Sequence, residues 1–186
     1  MVNATPDQTL DILHLEDSQA DHELAALTLR RSGMRCRLRQ VDSLEEFQQL
    51  TTDGSFDLIL ADYRLPGFTA LDAWSYVAQK PQHPPFVLLS GAIGEAAAVD
   101  AMRLGMADYL LKDDIRRLPH VIGRALEVHE ARQAREHAVA ELAISQRRLE
   151  ELAAHLQTSI EQERASIARE IHDDIGGALT AVRFDV

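Results

Sequence analysis

The sequence is poor in the residues that mark several common protein classes. Its 186 residues include one cysteine, Cys36, so no disulfide can form within the chain, which fits a reducing compartment. No apolar stretch approaches the ~20 residues that a membrane span needs. Met1 is followed by polar residues rather than by the basic and apolar regions of a signal peptide. We therefore expect a cytoplasmic protein with no membrane span.

Positive charge is also scarce. The chain has 30 acidic and 19 basic residues, a formal net charge of −11 and a pI near 5.1. A nucleic-acid-binding domain normally has a basic surface, so we expect no nucleic-acid partner. The one local basic cluster is interpreted as a solvated helix end and the strand beside it; its members are Arg30, Arg31, Arg35, Arg37 and Arg39.

Short apolar runs alternate with helical patterns through about residue 118. The predicted strands lie near 10–15 and 36–41 and end at Ala61, Leu89 and Leu111, and the predicted helices lie near 19–32, 43–51, 69–79 and 94–104. Apolar runs of this length that alternate with helices are typical of buried parallel strands. Five such strands with crossover helices predict an α/β fold with a doubly wound parallel sheet.

The pattern changes after about residue 115. Ala, Glu, Arg, Gln and Leu dominate, a composition that favours a long helix. A heptad seam can be followed from Val121 to Ile160, with polar interruptions at Arg132, Arg135 and Gln146. This part of the sequence predicts a coiled-coil linker that is weak in its middle.

Polar side chains follow four of the predicted strands. They are Glu16, Asp17, Asp62, Ser90 and Lys112. In an open parallel sheet the ligand crevice lies outside the carboxyl ends of the strands, so we expect these groups to converge. Asp62 can act as a carboxylate nucleophile toward a phosphoryl group, and a carboxylate-rich, oxygen-only site suits Mg²⁺. The pattern therefore indicates metal-assisted phosphoryl chemistry.

The sequence around these residues resembles the receiver domain of response regulators. The segments that carry the resemblance are 10–17, 57–67, 87–91 and 107–112. The resemblance implies a flavodoxin-like sheet and identifies Asp62 as the phosphorylated residue. It implies that Glu16, Asp17, Asp62 and the backbone carbonyl of Arg64 bind Mg²⁺ or Mn²⁺, that Ser90 and Lys112 contact the phosphoryl group, and that Tyr109 is the switch aromatic.

The chain departs from the common receiver pattern at two positions. The acidic pair is Glu16-Asp17, whereas Asp-Asp is commoner, so the first carboxylate has a longer reach. Lys112 is followed by Asp113, whereas a proline often stands there. We therefore expect the receiver chemistry to be preserved, with a loop of different shape beside the site.

A second resemblance lies near the carboxyl end. Segment 161–180 is similar to the H-box of the dimerisation and phosphotransfer helix of histidine kinases. The resemblance implies that His172 is phosphorylated and that Asp173 accepts its proton. Gly177 stands where these kinases often have a glutamine tied to phosphatase activity, so the resemblance does not imply that activity.

Together the two resemblances predict three segments. They are a receiver domain at 1–118, a helical linker at 119–158 and a partial phosphotransfer helix at 159–186. The expected whole is a receiver-linked hybrid histidine kinase, of which this chain is a fragment without an ATP-binding domain. We expect a parallel homodimer, an upstream histidine kinase or phosphotransfer protein as phosphodonor, and a response regulator downstream.

Three other interpretations match parts of the sequence. In the first, the helix is a passive dimerisation rod and His172 never carries phosphate. A carboxylate-nucleophile phosphohydrolase is disfavoured because it expects Asp-x-Asp after a strand, whereas Asp62 is followed by Tyr63 and Arg64. A dinucleotide-binding domain is disfavoured because residues 16–19 occupy the turn where its glycine-rich motif should be.

Overall fold

Five parallel strands form the central sheet. The computed structural model describes residues 9–91 and 95–182, with side chains for 9–91 and 99–167. The strands are β1 (Leu10–Leu15), β2 (Cys36–Val41), β3 (Leu58–Asp62), β6 (Phe86–Ser90) and β7 (Asp108–Leu111). Their spatial order is β2-β1-β3-β6-β7, and every neighbouring pair is parallel. A separate antiparallel pair is formed by β4 (Arg64–Leu65) and β5 (Phe68–Thr69).

Helices connect the strands and continue the chain after the last strand. They are α1 (Gln19–Arg31), α2 (Leu44–Asp53), α3 (Ala70–Val77), α4 (Glu95–Arg103), a 3-10 helix (Lys112–Arg117) and α5 (Leu118–Val182). The predicted flavodoxin-like α/β fold with a long carboxyl-terminal helix is confirmed. The strands β3 and β6 end at Asp62 and Ser90, one residue later than the predicted ends at Ala61 and Leu89.

Turn and cap residues explain several of the boundaries. Ser43 caps α2, because its hydroxyl accepts a hydrogen bond from the backbone N–H of Glu46. Gly67 has a φ of 86°, a left-handed conformation that suits glycine, at the turn between β4 and β5. Capping and turn chemistry therefore set these two boundaries.

The sheet is covered on both faces. One face packs against α2, α3 and α4 around Phe47 and Trp74, and the other packs against α1 and α5 around Leu29 and Ile122. The central strands are buried on both sides, so they consist of continuous apolar residues rather than alternating ones. This burial fixes the strands and, with them, the residues at their carboxyl ends.

The first turns of α5 belong to the sheet's core. Val121 and Ala125 began the heptad pattern in the sequence, and the structure buries both against the sheet. Arg124 donates hydrogen bonds to the buried carboxylate of Asp108 in β7. The fold therefore uses the start of α5 as its last layer, and a seam for another helix can begin only after Ala125.

The chain divides into two units, 1–133 and 134–186. In the second unit α5 continues to Val182, and its described apolar side chains are exposed along the helix. Among the described residues no helix combines the length and the apolarity needed to cross a membrane.

Candidate functional site

The site lies at the point where the strand order reverses. β1 and β3 are neighbours in the middle of the sheet, while β2 extends the sheet on one side and β6 and β7 extend it on the other. Such a reversal leaves a crevice outside the carboxyl ends of the two central strands, where ligands bind in open α/β sheets. Glu16 directly follows β1, and Asp62 ends β3.

Three carboxylates meet in this crevice. One oxygen from each of Glu16, Asp17 and Asp62 lies within 4.8 Å of the others, in the one group of potential metal ligands found among the described residues. Glu16 is fully buried, Asp62 is partly buried and Asp17 is exposed. The set is made only of oxygen donors and is open to solvent on one side, and it therefore fits a hard divalent cation such as Mg²⁺.

Lys112 offsets part of this negative charge. Its Nζ donates to Glu16 Oε2 at 2.8 Å, to Asp62 Oδ2 at 2.9 Å and to Asp21 Oδ2 at 2.6 Å. An ammonium group has three N–H donors, so each one has a carboxylate partner. The predicted approach of Lys112 to Asp62 is thus seen directly, although the two residues are 50 positions apart in the sequence.

Burial and charge shift the pKa values of two of these groups in the same direction. Burial raises the pKa of the Glu16 carboxyl, and the hydrogen bond from Lys112 only partly offsets that rise. For Lys112, burial alone would lower the pKa, but the hydrogen bonds to Asp21, Glu16 and Asp62 outweigh it and raise the pKa. The ammonium therefore stays charged, as a group that offsets phosphoryl charge must.

The backbone between β1 and α1 holds Glu16 in place. The N–H of Glu16 donates to the carbonyl of Val41 at 2.9 Å, and the Glu16 carbonyl accepts from Gln40 Nε2 at 2.9 Å. The N–H of Ser18 donates to Glu16 Oε1 at 3.0 Å, and Ser18 Oγ caps α1. Strand pairing and helix capping therefore orient the longer glutamate side chain at this position.

Ser90, Tyr109 and Arg64 lie on the elements around the crevice. Ser90 is a buried residue at the end of β6, the strand beside β3. Tyr109 lies in the edge strand β7 with its side chain exposed. Arg64 lies in β4, two residues after Asp62. Their expected roles in phosphoryl contact, switching and metal binding stay predictions, as do those of the acidic residues and Lys112.

The side chains of the predicted second site lie outside those that the structure describes. The side chains of His172 and Asp173 lie outside the described set, and so do the details around Gly177. The backbone is helical there, as part of α5.

Two features of the site were missed by sequence reasoning. Asp21 reaches Lys112 from the first turn of α1, where an acidic residue looks like an ordinary helix-start residue. His14 is buried in β1, and its Nδ1 lies 3.0 Å from Nδ1 of His22. Burial, followed by the charges of His22 and Lys112, lowers the pKa of His14 to about 3. In the sequence, the sign of this pair was a histidine at a position predicted to lie in a buried strand.

Known proteins resemble the chain in sequence and in fold. The response regulator protein PilR of Pseudomonas aeruginosa is 30% identical over 117 residues, which cover 62% of this chain and 26% of PilR. The chain thus spans about a quarter of this curated relative. Two solved structures share the fold: the receiver domain of the sensor histidine kinase PA1611 from P. aeruginosa, with a magnesium ion in its active site cleft, and the manganese-bound response regulator Rcp1.

The similarity extends over most of each of these two solved structures. The PA1611 domain has 22% identity and a TM-score of 0.56, covering 64% of this chain and 99% of that one. Rcp1 has 24% identity and a TM-score of 0.53, covering 61% and 90%. The family model of the response regulator receiver domain matches residues 12–123. With its five-stranded parallel sheet and the acidic crevice at the strand ends, the chain therefore belongs to the response regulator receiver domain family.

Proposed function

We propose that the receiver domain accepts a phosphoryl group on Asp62. The observation that carries the proposal is the convergence of Glu16, Asp17, Asp62 and Lys112 at the switch point of the sheet, with Lys112 Nζ 2.9 Å from Asp62 Oδ2. A carboxylate nucleophile beside a fixed ammonium and further oxygen ligands has the parts that phosphoryl transfer needs, because that reaction depends on positioning and charge neutralisation.

The reaction starts from a phosphohistidine of an upstream histidine kinase or phosphotransfer protein. An oxygen of Asp62 attacks phosphorus, the phosphorus–nitrogen bond breaks, and the imidazole leaves with the electron pair and takes up a proton. The product is an acyl phosphate on Asp62. Lys112 and the hydroxyl of Ser90 contact the phosphoryl oxygens. Lys112 supplies positive charge where negative charge accumulates.

Glu16, Asp17 and Asp62 would hold Mg²⁺ or Mn²⁺, with the carbonyl of Arg64 as a further ligand. A divalent cation there would offset the charge of the carboxylates and the phosphoryl group. The donor set supports this proposal because it contains only oxygen atoms. The metals bound by the PA1611 domain and by Rcp1 point in the same direction.

The downstream part of the proposal concerns α5. We infer that the receiver predicted at 1–118 extends into the first turns of α5, that the rest of the linker predicted at 119–158 forms a coiled coil, and that 159–186 begins a phosphotransfer helix. In a parallel homodimer, the phosphoryl group on Asp62 would then regulate a histidine kinase core bearing His172, with Asp173 as proton acceptor and a response regulator as recipient. What supports the linkage is the continuity of α5 from the receiver core to Val182.

Phosphoryl acceptance is tested with acetyl phosphate and Mg²⁺ on the purified chain, followed by intact-protein mass spectrometry. We expect the wild type to gain the mass of one phosphoryl group and the Asp62→Asn variant to gain none. Asp53→Asn, which removes an exposed carboxylate at the end of α2, is the matched control and should behave as the wild type. Equal labelling of Asp62→Asn and the wild type would refute the assignment of Asp62.

The role of His172 separates the kinase linkage from the passive-rod alternative. In the natural full-length protein, incubated with ATP and Mg²⁺, mass spectrometry under conditions that preserve phosphoramidates should find phosphate on His172. The His172→Gln variant should lose that signal while Asp62 still accepts phosphate from acetyl phosphate. If His172 stays unmodified, the helix is better explained as a dimerisation rod.

A further inference from the structure

Lys112 is bound by one carboxylate that belongs to neither the proposed ligand set nor the phosphorylated position. Asp21 lies in the first turn of α1, and its Oδ2 accepts from Lys112 Nζ at 2.6 Å. This is the shortest of the three contacts of the ammonium. The acidic group that could bind a metal consists of Glu16, Asp17 and Asp62 and leaves Asp21 out.

The other two partners of Lys112 are Glu16 and Asp62, which also take part in the proposed reaction. Glu16 Oε2 and Asp62 Oδ2 both accept from the ammonium, while Glu16 Oε1 accepts from the backbone N–H of Ser18. A cation at the crevice competes with the ammonium for these same carboxylates, and a phosphoryl group bonded to Asp62 alters one of them. Asp21 is the partner that stays available to Lys112 when Glu16 and Asp62 are engaged.

Local structure fixes Asp21 at this place. Its backbone N–H donates to Ser18 Oγ, the cap of α1, so the residue sits on the rigid start of the helix. A negative charge in the first helical turn is also favoured by the helix dipole. Its side chain is 42% exposed, compared with 20% for Lys112, so the carboxylate forms the solvent-facing wall of the ammonium site.

We propose that Asp21 is a positioning residue that keeps the Lys112 ammonium beside Asp62 during phosphoryl transfer. The proposal rests on the proposed function of Asp62. Asp21 contacts neither the phosphoryl group nor the cation in this scheme, and it acts only through Lys112. Without Asp21, the flexible lysine side chain loses its anchor outside the reacting groups, and fewer molecules hold the ammonium where the phosphoryl group arrives.

The contact itself is tested without metal or phosphodonor. Urea unfolding in EDTA is measured for Asp21→Asn, Lys112→Gln and the double variant. In the presence of Lys112, Asp21→Asn should raise the unfolding equilibrium constant about fivefold, since one partly exposed ion pair is lost. In the Lys112→Gln background the same change should stabilise the fold, because it removes one of several carboxylates that then repel each other.

The matched control is Glu23→Gln, which removes the same charge from α1. Glu23 is exposed and accepts from Gln19 Nε2, four residues before it on the same helix. Its substitution should have the same small effect with and without Lys112. Additive effects of Asp21→Asn and Lys112→Gln would overturn the assigned contact.

The positioning role is tested by the rate at which acetyl phosphate with Mg²⁺ labels Asp62. We expect Asp21→Asn to slow labelling about fivefold, Asp21→Glu to restore most of the rate, and Glu23→Gln to match the wild type. In the Lys112→Gln background Asp21→Asn should cause no further loss. An equal loss with and without Lys112, or no loss in Asp21→Asn, would overturn the positioning role. A wild type that takes up no phosphate would instead overturn the function on which it rests.

Discussion

His14 shows how one buried side chain ties the stability of the domain to pH. It lies in β1 with no exposed surface, and its Nε2 has no hydrogen-bond partner within the described part of the protein. Its ring stacks on that of His22, and the nearby positive charge of Lys112 disfavours the protonated form. Burial therefore leaves His14 neutral at neutral pH. His14 lies two positions before Glu16, which belongs to the acidic crevice.

The predicted consequence is a loss of stability in acid. The folded-state pKa of His14 is lowered from 6.5 to about 3, so below pH 6.5 the unfolded chain binds a proton that the folded chain excludes. The contribution of His14 to the free energy of unfolding is fully present above pH 6.5 and falls as the pH drops toward 3. At pH 5 this linkage costs about 2 kcal/mol of unfolding free energy.

Urea unfolding at pH 7.5 and pH 5 in EDTA measures the effect. The stability lost between these two pH values should be about 2 kcal/mol smaller in His14→Leu than in the wild type. His120→Gln, which removes an exposed imidazole, should lose as much stability between the two pH values as the wild type does. An unchanged loss in His14→Leu would show that His14 does not titrate in this way.

At the scale of secondary-structure elements, strand ends were easier to predict than helix contacts. The convergence of Asp62 and Lys112 follows from one rule, that the carboxyl ends of parallel strands share an edge. The contact between Asp21 and Lys112 depends on how α1 packs across the sheet, which no local pattern encodes. Likewise, Val121 and Ala125 fit a heptad, yet the sheet buries them because it needs a covering helix on that face.

The remaining seam on α5 gives a testable prediction about association. Leu149 and its seam neighbours are exposed in one copy of the chain; the other large apolar members are Val128, Val139, Leu142, Leu156 and Ile160. Two copies that pack along this seam would bury these side chains, and a charge at the centre would prevent that. Sedimentation analysis should therefore show a dimer for the wild type and a monomer for Leu149→Glu.

Ile144 supplies the control. It is 52% exposed, close to the 63% of Leu149, but lies off the seam. Ile144→Glu should therefore sediment as a dimer. A monomeric wild type, or equal dissociation in both variants, would contradict the proposed coiled coil.

At the scale of the whole molecule, the roles of the receiver and of the distal helix rest on different observations. The receiver's fold and family follow from its elements and from the match over residues 12–123. Its chemistry is proposed from the contacts among Glu16, Asp62 and Lys112. The role of His172 is argued from the sequence around it and from the continuity of α5. The function of the receiver can therefore be tested without settling that of the helix.

The most direct test of the central claim is to locate the phosphoryl group. The chain is incubated with acetyl phosphate in Mg²⁺ or in EDTA and then reduced with borohydride, which converts an aspartyl phosphate to homoserine. Peptide mass spectrometry should find this conversion at Asp62 in Mg²⁺ and little of it in EDTA. Conversion at another carboxylate, or none in Mg²⁺, would contradict the assignment of Asp62 as the phosphoryl acceptor.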